Sequence, residues 1–415
     1  MTAPDAPLHS PAFARLLAAY RQRGLSQGEH GPIVGYVGNT VPVELIVACG
    51  ALPLRIAPMQ GPTEAAEPYV EAFADPDARR IFARFVEGAL DHLALLVIPR
   101  SSETWHKLYL ALREAQRIGL KAGGPPLVLY ELLHTQRPSS HAYGLARTRD
   151  LAARLAQATG QAADAAGLRA AIAQGNGTRR LLQGLQTRRG QGQVNGWRAQ
   201  VATGALRFMA PDDGQDALRD WLNELDQEQL AARPVPGGAA PPGAVASPAR
   251  LRLYVQGVPL DHAELHAAAL AAGADIVIED DDWGSRAAAP LIDDSIDPLT
   301  ALFEHCSRDV PCLRIHPPPP GPPAFIAAHR AGLIDGLLFH LPRPDDVHGW
   351  LFPAQRAAAD ASGIPWLLLR DDAREAGNLA TDMAKTQAAV APPLQAFVQQ
   401  LRRLPRPAQA PTAPA

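Results

Sequence analysis

Short apolar runs alternate with amphipathic stretches in two separate parts of the chain, and this alternation predicts two α/β units. In the first, strands are expected at 33–37, 52–56, 93–98 and 127–130, with helices at 11–24, 41–50, 77–90 and 103–118. The helix at 41–50 carries its own punctuation, with Pro42 at its start, Glu44 in its first turn and Gly50 just past its end. Strand, helix and strand within so few residues require a crossover, and hence a parallel pair. From about 143 to 230 the strand signals stop and long Ala-, Leu- and Arg-rich helices are expected. Alternation then returns, with strands at 251–255, 274–278, 312–315, 334–339 and 365–369 and helices at 261–272, 297–306, 323–331, 353–362 and 380–402.

The expected fold class is therefore α/β: two Rossmann-like parallel-sheet domains with a helical segment between them. The division reads as an N-terminal tail and helix at 1–30, a first α/β domain at 31–142, a helical segment at 143–232, a Pro/Gly-rich linker at 233–249, a second α/β domain at 250–403 and a disordered tail at 404–415. Open parallel sheets place their sites beyond the strand ends. Three polar corners after expected strands are thus candidate site loops: Pro99-Arg100-Ser101-Ser102-Glu103, Glu279-Asp280-Asp281-Asp282-Trp283-Gly284-Ser285-Arg286 and Pro342-Arg343-Pro344-Asp345-Asp346.

Composition narrows the function classes. The formal net charge of −3, with 20% charged and 47% hydrophobic residues, gives no reason to expect nucleic acid or an anionic membrane surface as partner. No run approaches the roughly 18 apolar residues of a membrane span, and the first residues lack the pattern of a secretory signal, so a cytoplasmic location is expected. Cys49, Cys306 and Cys312 form no Cys-x-x-Cys pair and read as small buried hydrophobes. No dinucleotide fingerprint, phosphate loop, nucleophile elbow or His-Glu-x-x-His helix is present.

One stretch is more specific. Gly35-Tyr36-Val37-Gly38-Asn39-Thr40-Val41-Pro42-Val43-Glu44-Leu45-Ile46-Val47-Ala48-Cys49-Gly50-Ala51-Leu52-Pro53-Leu54-Arg55 closely resembles the N-terminal signature of the 2-hydroxyacyl-CoA dehydratase and benzoyl-CoA reductase family. The resemblance runs from about residue 13 to 400. It takes in the turn Gln256-Gly257-Val258-Pro259-Leu260, the Asp-Asp-x-x-Gly-x-Arg loop at 280–286, the Pro311-Cys312 pair and the Asp335-Gly336 and Gly363-Ile364-Pro365 strand starts. It implies two-lobed subunits working as heterodimers, a [4Fe–4S] cluster near an acyl-CoA thioester, and an ATP-dependent activator that injects one electron.

The same resemblance exposes a departure. The family's cluster cysteines align with Ser102, Asp282 and Asp345, all oxygen side chains here. Iron–sulfur clusters are held by soft thiolates, so this chain alone is expected to bind no cluster and to rely on a homologous, cysteine-bearing subunit. The C-terminal pattern departs too, with Asp371-Asp372-Ala373 and Ala380-Thr381-Asp382-Met383-Ala384 standing where active subunits have a different strand end and helix.

Individual residues keep two readings each. Glu44 is either a general acid or base or a carboxylate placed by the helix dipole; Thr40 either caps that helix or donates to a thioester oxygen. Ser102, Asp282 and Asp345 either form an oxygen-rich metal site or are relaxed corners that cap helices or pair with Arg286. Arg286 either grips a phosphate or carboxylate of a CoA ester or pairs with neighbouring Asp residues. His134, His340 and His348 read as solvated or satisfied. Two functions compete: a subunit of a radical dehydratase or reductase complex acting on acyl-CoA, and a non-redox acyl-CoA or small-molecule binding protein that kept the two-lobed fold. A non-redox enzyme built on Glu44 and the three corners comes third.

Overall fold

The computed structural model describes residues 10–24, 31–57, 63–70, 76–232, 250–288, 290–310, 312, 314–315, 321–341, 346–370 and 379–404. The expected linker at 233–249, Asp345, Asp371, Asp372 and the expected tail after 404 lie outside them. Two four-stranded, all-parallel sheets form the frame. The first contains β1 (Ile33–Tyr36), β2 (Leu52–Arg55), β3 (Leu95–Pro99) and β4 (Leu127–Tyr130) in the order β2-β1-β3-β4. The second contains β5 (Leu251–Gly257), β6 (Ala274–Glu279), β7 (Gly336–His340) and β8 (Trp366–Leu369) in the order β6-β5-β7-β8. The two sheets share one topology, and the predicted α/β class with two Rossmann-like sheets holds.

Local chemistry explains the elements. Helix α1 (Pro11–Gln22) starts where Ser10 Oγ accepts from the Phe13 amide at 2.9 Å. Its apolar face, Phe13, Leu16, Leu17 and Tyr20, is buried. That face meets the middle helices, where Trp197 and Trp221 pack against Phe13. These helices are α5 (Pro138–Thr159), α6 (Ala165–Gly190), α7 (Gly196–Ala205) and α8 (Pro211–Ala232), following α2 (Val43–Ala48), α3 (Pro76–Val86) and α4 (Glu103–Arg117) of the first sheet. The first sheet buries one face under α3 and α4 and the other under α2, α5 and α6. The second sheet lies between α9 (Glu264–Ala272) with α13 (Leu379–Arg403) on one face and α11 (Ala324–Arg330) with α12 (Asp346–Ala361) on the other. No helix among the described residues is long and apolar enough to cross a membrane.

Two features were not foreseen. Helix α10 (Pro298–Glu304), from the second half of the sequence, packs Phe303 against Gly144 of α5, where no side chain would fit. Nearby, Asn176 of α6 exchanges two 2.9 Å hydrogen bonds with the backbone of Ile292. And among the described residues no strand forms at 312–315: Cys312, Arg314 and Ile315 lie in irregular chain. Helix α10 runs on into a π-helical turn, His305–Asp309, and the prolines on both sides of the segment supply no ladder donors.

At the end of β5, Gly257 has φ 142° and sits against the His340 backbone carbonyl, with Val258 N donating to that same oxygen at 3.1 Å. Only glycine fits both constraints. Gly257→Ala is expected to lower stability by at least about 2 kcal/mol, read as a drop in the denaturation midpoint.

Candidate functional site

Of the three predicted corners, the two within the described residues do not behave as open ligands. At the end of β3, Ser102 adopts an extended backbone and its Oγ accepts from the Trp105 amide at 3.2 Å, capping α4. The next residue, Glu103, pairs with Arg314 at 2.5 Å. The loop after β1 closes over this corner: Gly38, at φ 64°, leaves no room for a side chain beside Pro99 and Ser101.

Following that loop, α2 takes Pro42 as its capping position with no side-chain cap, so Thr40, although buried, does not perform the capping expected of it. Pro42 lies between Thr40 and the helix, and its fixed φ already presets the first turn. Glu44 is buried and its Oε1 lies 2.7 Å from Arg179 Nη2 of α6. Burial by itself would raise the Glu44 pKa; the Arg179 charge, backbone and side-chain hydrogen bonds and nearby His305 together bring it below the ordinary carboxylate value. Glu44 is therefore ionised, able to accept a proton only weakly and unable to donate one. Arg179 also lies 3.4 Å from His305, whose other ring nitrogen is 3.3 Å from Asp309.

The corner after β6 is the most built part of the molecule. Asp282 and Arg55, at the end of β2, form a 2.5 Å ion pair in which both side chains are under one-tenth exposed. The Arg55 guanidinium lies 4.3 Å over the Trp283 ring, Trp283 stacks on Phe208, and Arg207 donates to the Asp282 carbonyl at 2.6 Å. Asp282 thus pairs with Arg55, not with the neighbouring Arg286. Arg286 bonds Asp280 at 2.5 Å on the surface. Behind them, Glu279 is completely buried between Arg189 of α6 at 2.8 Å and His266 of α9 at 2.6 Å. Burial opposes its charge, but Arg189 and His266 hold its pKa well below the usual carboxylate range.

Asp281 organises the loop. One carboxylate oxygen accepts from Leu260 N at 2.9 Å, the other from Trp283 N at 2.9 Å and Gly284 N at 2.8 Å. Burial, then the Glu279 and Asp282 charges, push its pKa up to about 8, against the pull of the Leu260 and Gly284 amides. Gly284 lies so close to Glu279 that a side chain there has no space.

The structure therefore brings Asp282 to Arg55 and Glu44 to Arg179, and leaves Ser102 occupied with its own helix; Asp345 lies outside the described residues. Among the described residues no group of three His, Cys, Asp or Glu side chains is arranged to hold a metal ion. The sequence reading missed Arg55, Arg179 and Arg189 as partners. An arginine closing the apolar strand Leu52-Pro53-Leu54-Arg55 was the available signal for the first.

Breaking a buried pair leaves one charge unmatched in low dielectric. Asp282→Ala is expected to cost about 3 to 5 kcal/mol, while the double change Arg55→Met with Asp282→Leu restores most of it; chemical denaturation of the three proteins checks this. The pH dependence separates Asp281 from its neighbours. Glu279 and Asp282, with lowered pKa values, stabilise above the unfolded value near ~4 and lose that contribution as pH falls through their folded values. Asp281 does the reverse: from ~4 up to about 8 the folded chain keeps a proton that the unfolded chain has released, so its contribution falls as pH rises. Stability measured from pH 5 to 8 is expected to slope downward in the parent protein and to flatten in Asp281→Asn.

The comparison with known families agrees with the resemblance carried by the 35–55 motif. The sequence profile described as 2-hydroxyglutaryl-CoA dehydratase, D-component, matches residues 39–401. No curated protein matches the chain. A match over that span, which takes in every strand after β1 and the helices between the two sheets, places this chain in the 2-hydroxyglutaryl-CoA dehydratase D-component family.

Proposed function

We propose that this chain is a cluster-less subunit of a dehydratase- or reductase-type complex that acts on acyl-CoA thioesters, paired with a homologous subunit that carries the [4Fe–4S] cluster and served by an ATP-dependent activator. Family membership supports the complex and its thioester substrate class. The observation that carries the cluster-less reading is the state of the aligned positions. The Ser102 oxygen is spent on the α4 amide and the Asp282 carboxylate on Arg55. Neither side chain is a thiolate, and neither is turned outward to receive iron. Cys49 and Cys306 are buried within the core that joins the first sheet to α10, so they offer no substitute ligand set. The residues present do not fit a cluster, and no step of chemistry on this chain is routed through one.

In such a complex this chain contributes walls and charge. Arg286, half-exposed beside the loop, keeps a surface-facing guanidinium suited to the phosphates of a CoA ester. Glu44, fixed as a carboxylate by Arg179, shapes the potential behind the β1 loop. The alternative, a non-redox acyl-CoA binding protein, shares these features and differs in having no cluster-bearing partner.

Iron and acid-labile sulfide measured on anaerobically purified protein decide between them. The expected result is neither on the chain alone and both when a homologous cysteine-bearing subunit is co-expressed and co-purifies. Cluster on the isolated chain would overturn the proposal, and its absence with every co-expressed homologue would favour the non-redox alternative.

A further inference from the structure

The chain's three cysteines differ in surroundings. Cys49 and Cys306 are buried, while Cys312 is half-buried and faces polar groups. Its Sγ lies 3.6 Å from His134 Nε2 and 3.7 Å from the Ser101 carbonyl. The other ring nitrogen of His134, Nδ1, lies 3.3 Å from the Ser307 carbonyl, on the π-helical turn after α10. A carbonyl only accepts, so Nδ1 carries the proton and the Nε2 lone pair is presented to the thiol. Nucleophile, base and a third group orienting the base are the parts of an activated thiol, and they come from sequence positions 178 residues apart.

From this geometry we infer that Cys312 and His134 form a nucleophile–base pair that accepts an acyl group from a thioester. The Cys312 sulfur attacks the thioester carbonyl as its proton passes to His134 Nε2. The new sulfur–carbon bond replaces the old one, whose electron pair leaves with the departing thiolate. That thiolate takes the proton back from His134. The products are acyl-Cys312 and a free thiol, with no oxidant or reductant required. The choice of acyl donor rests on the acyl-CoA reading above; the pair itself does not.

The protonation states suit the step. Burial holds the His134 pKa below its ordinary value, so the ring is neutral and able to accept. Burial raises the Cys312 pKa, and the Arg314 backbone and guanidinium pull the other way, so the resting group is a thiol whose anion has local support. Arg314 is itself anchored on Glu103, next to the Ser102 cap. The pair therefore sits against the β3 corner that sequence reasoning selected as a site, reached through a different residue.

The full chain, incubated with acetyl-CoA and separately with the acetyl thioester of N-acetylcysteamine, is read by intact mass, peptide mapping and free-thiol release. One acetyl group on Cys312 with matching thiol release is expected from both donors. Cys312→Ser abolishes it, His134→Gln slows it at least about a hundredfold with unchanged circular dichroism, and Cys306→Ala retains it. Labelling by the small thioester but not by acetyl-CoA upholds the pair and counts against the acyl-CoA reading. No labelling from either donor, or labelling indifferent to His134, overturns the inference.

Discussion

Buried charged carboxylates are costly without a cation, and four of them here are met by an arginine from a distant part of the chain. Glu44 is met by Arg179, Asp282 by Arg55, Glu279 by Arg189 and Asp261 by Arg23. An unmatched charge in such surroundings costs several kcal/mol, whereas a matched pair roughly breaks even. These contacts therefore act less as a source of net stability than as a rule about arrangement: alternatives that separate the partners are penalised heavily. The hydrophobic clusters supply the driving force, and the pairs decide how the parts are placed.

Helix α6 shows the rule at work. Arg179 and Arg189 lie ten residues apart, about 15 Å along a helix axis. The first reaches Glu44 behind the first sheet, and the second reaches Glu279 at the end of β6. Asn176, one turn before Arg179, clamps the backbone at Ile292. A single helix thus holds one carboxylate from α2 beside the first sheet and one from β6 of the second, and the helical segment between the two sheets in sequence also ties them in space. Arg55 with Asp282 closes the same arrangement from the strand ends, and Trp283 covers that pair with its ring face.

The sequence made the elements legible because their signals are local. The Ser102 cap belongs to this class: an N-cap oxygen and its amide are three residues apart. The Thr40 cap failed at the same scale, since Pro42 had already set the turn. The strand expected at 312–315 failed because a short apolar run does not by itself distinguish a strand from irregular chain, and the prolines on both sides in sequence supply no ladder donors. The ion pairs were beyond such reading. Arg55 and Asp282 are 227 residues apart, and nothing in either neighbourhood names the other. Asp282 read alone offers its neighbour Arg286 as partner, and only the three-dimensional arrangement gives Arg286 to Asp280 instead. The Cys312 and His134 pair was hidden for the same reason, each residue being unremarkable by itself.

The aspartate at position 282 is coherent with its surroundings. A carboxylate there alone would be a buried charge with no compensation, but Arg55, Arg207 and the Trp283 ring give it a cation, a donor to its backbone and an aromatic lid. The loop around it depends on Asp281, whose two oxygens gather three amides, and on Gly284, whose missing side chain lets Glu279 reach Arg189. A thiol at position 282 would therefore not make a ligand corner, since Arg55 would remain buried beside it and the Ser102 oxygen would still be committed to α4. The corner is an internal strut. The chemistry that does offer a nucleophile beside a base lies elsewhere, at Cys312 and His134 by the Ser101 carbonyl.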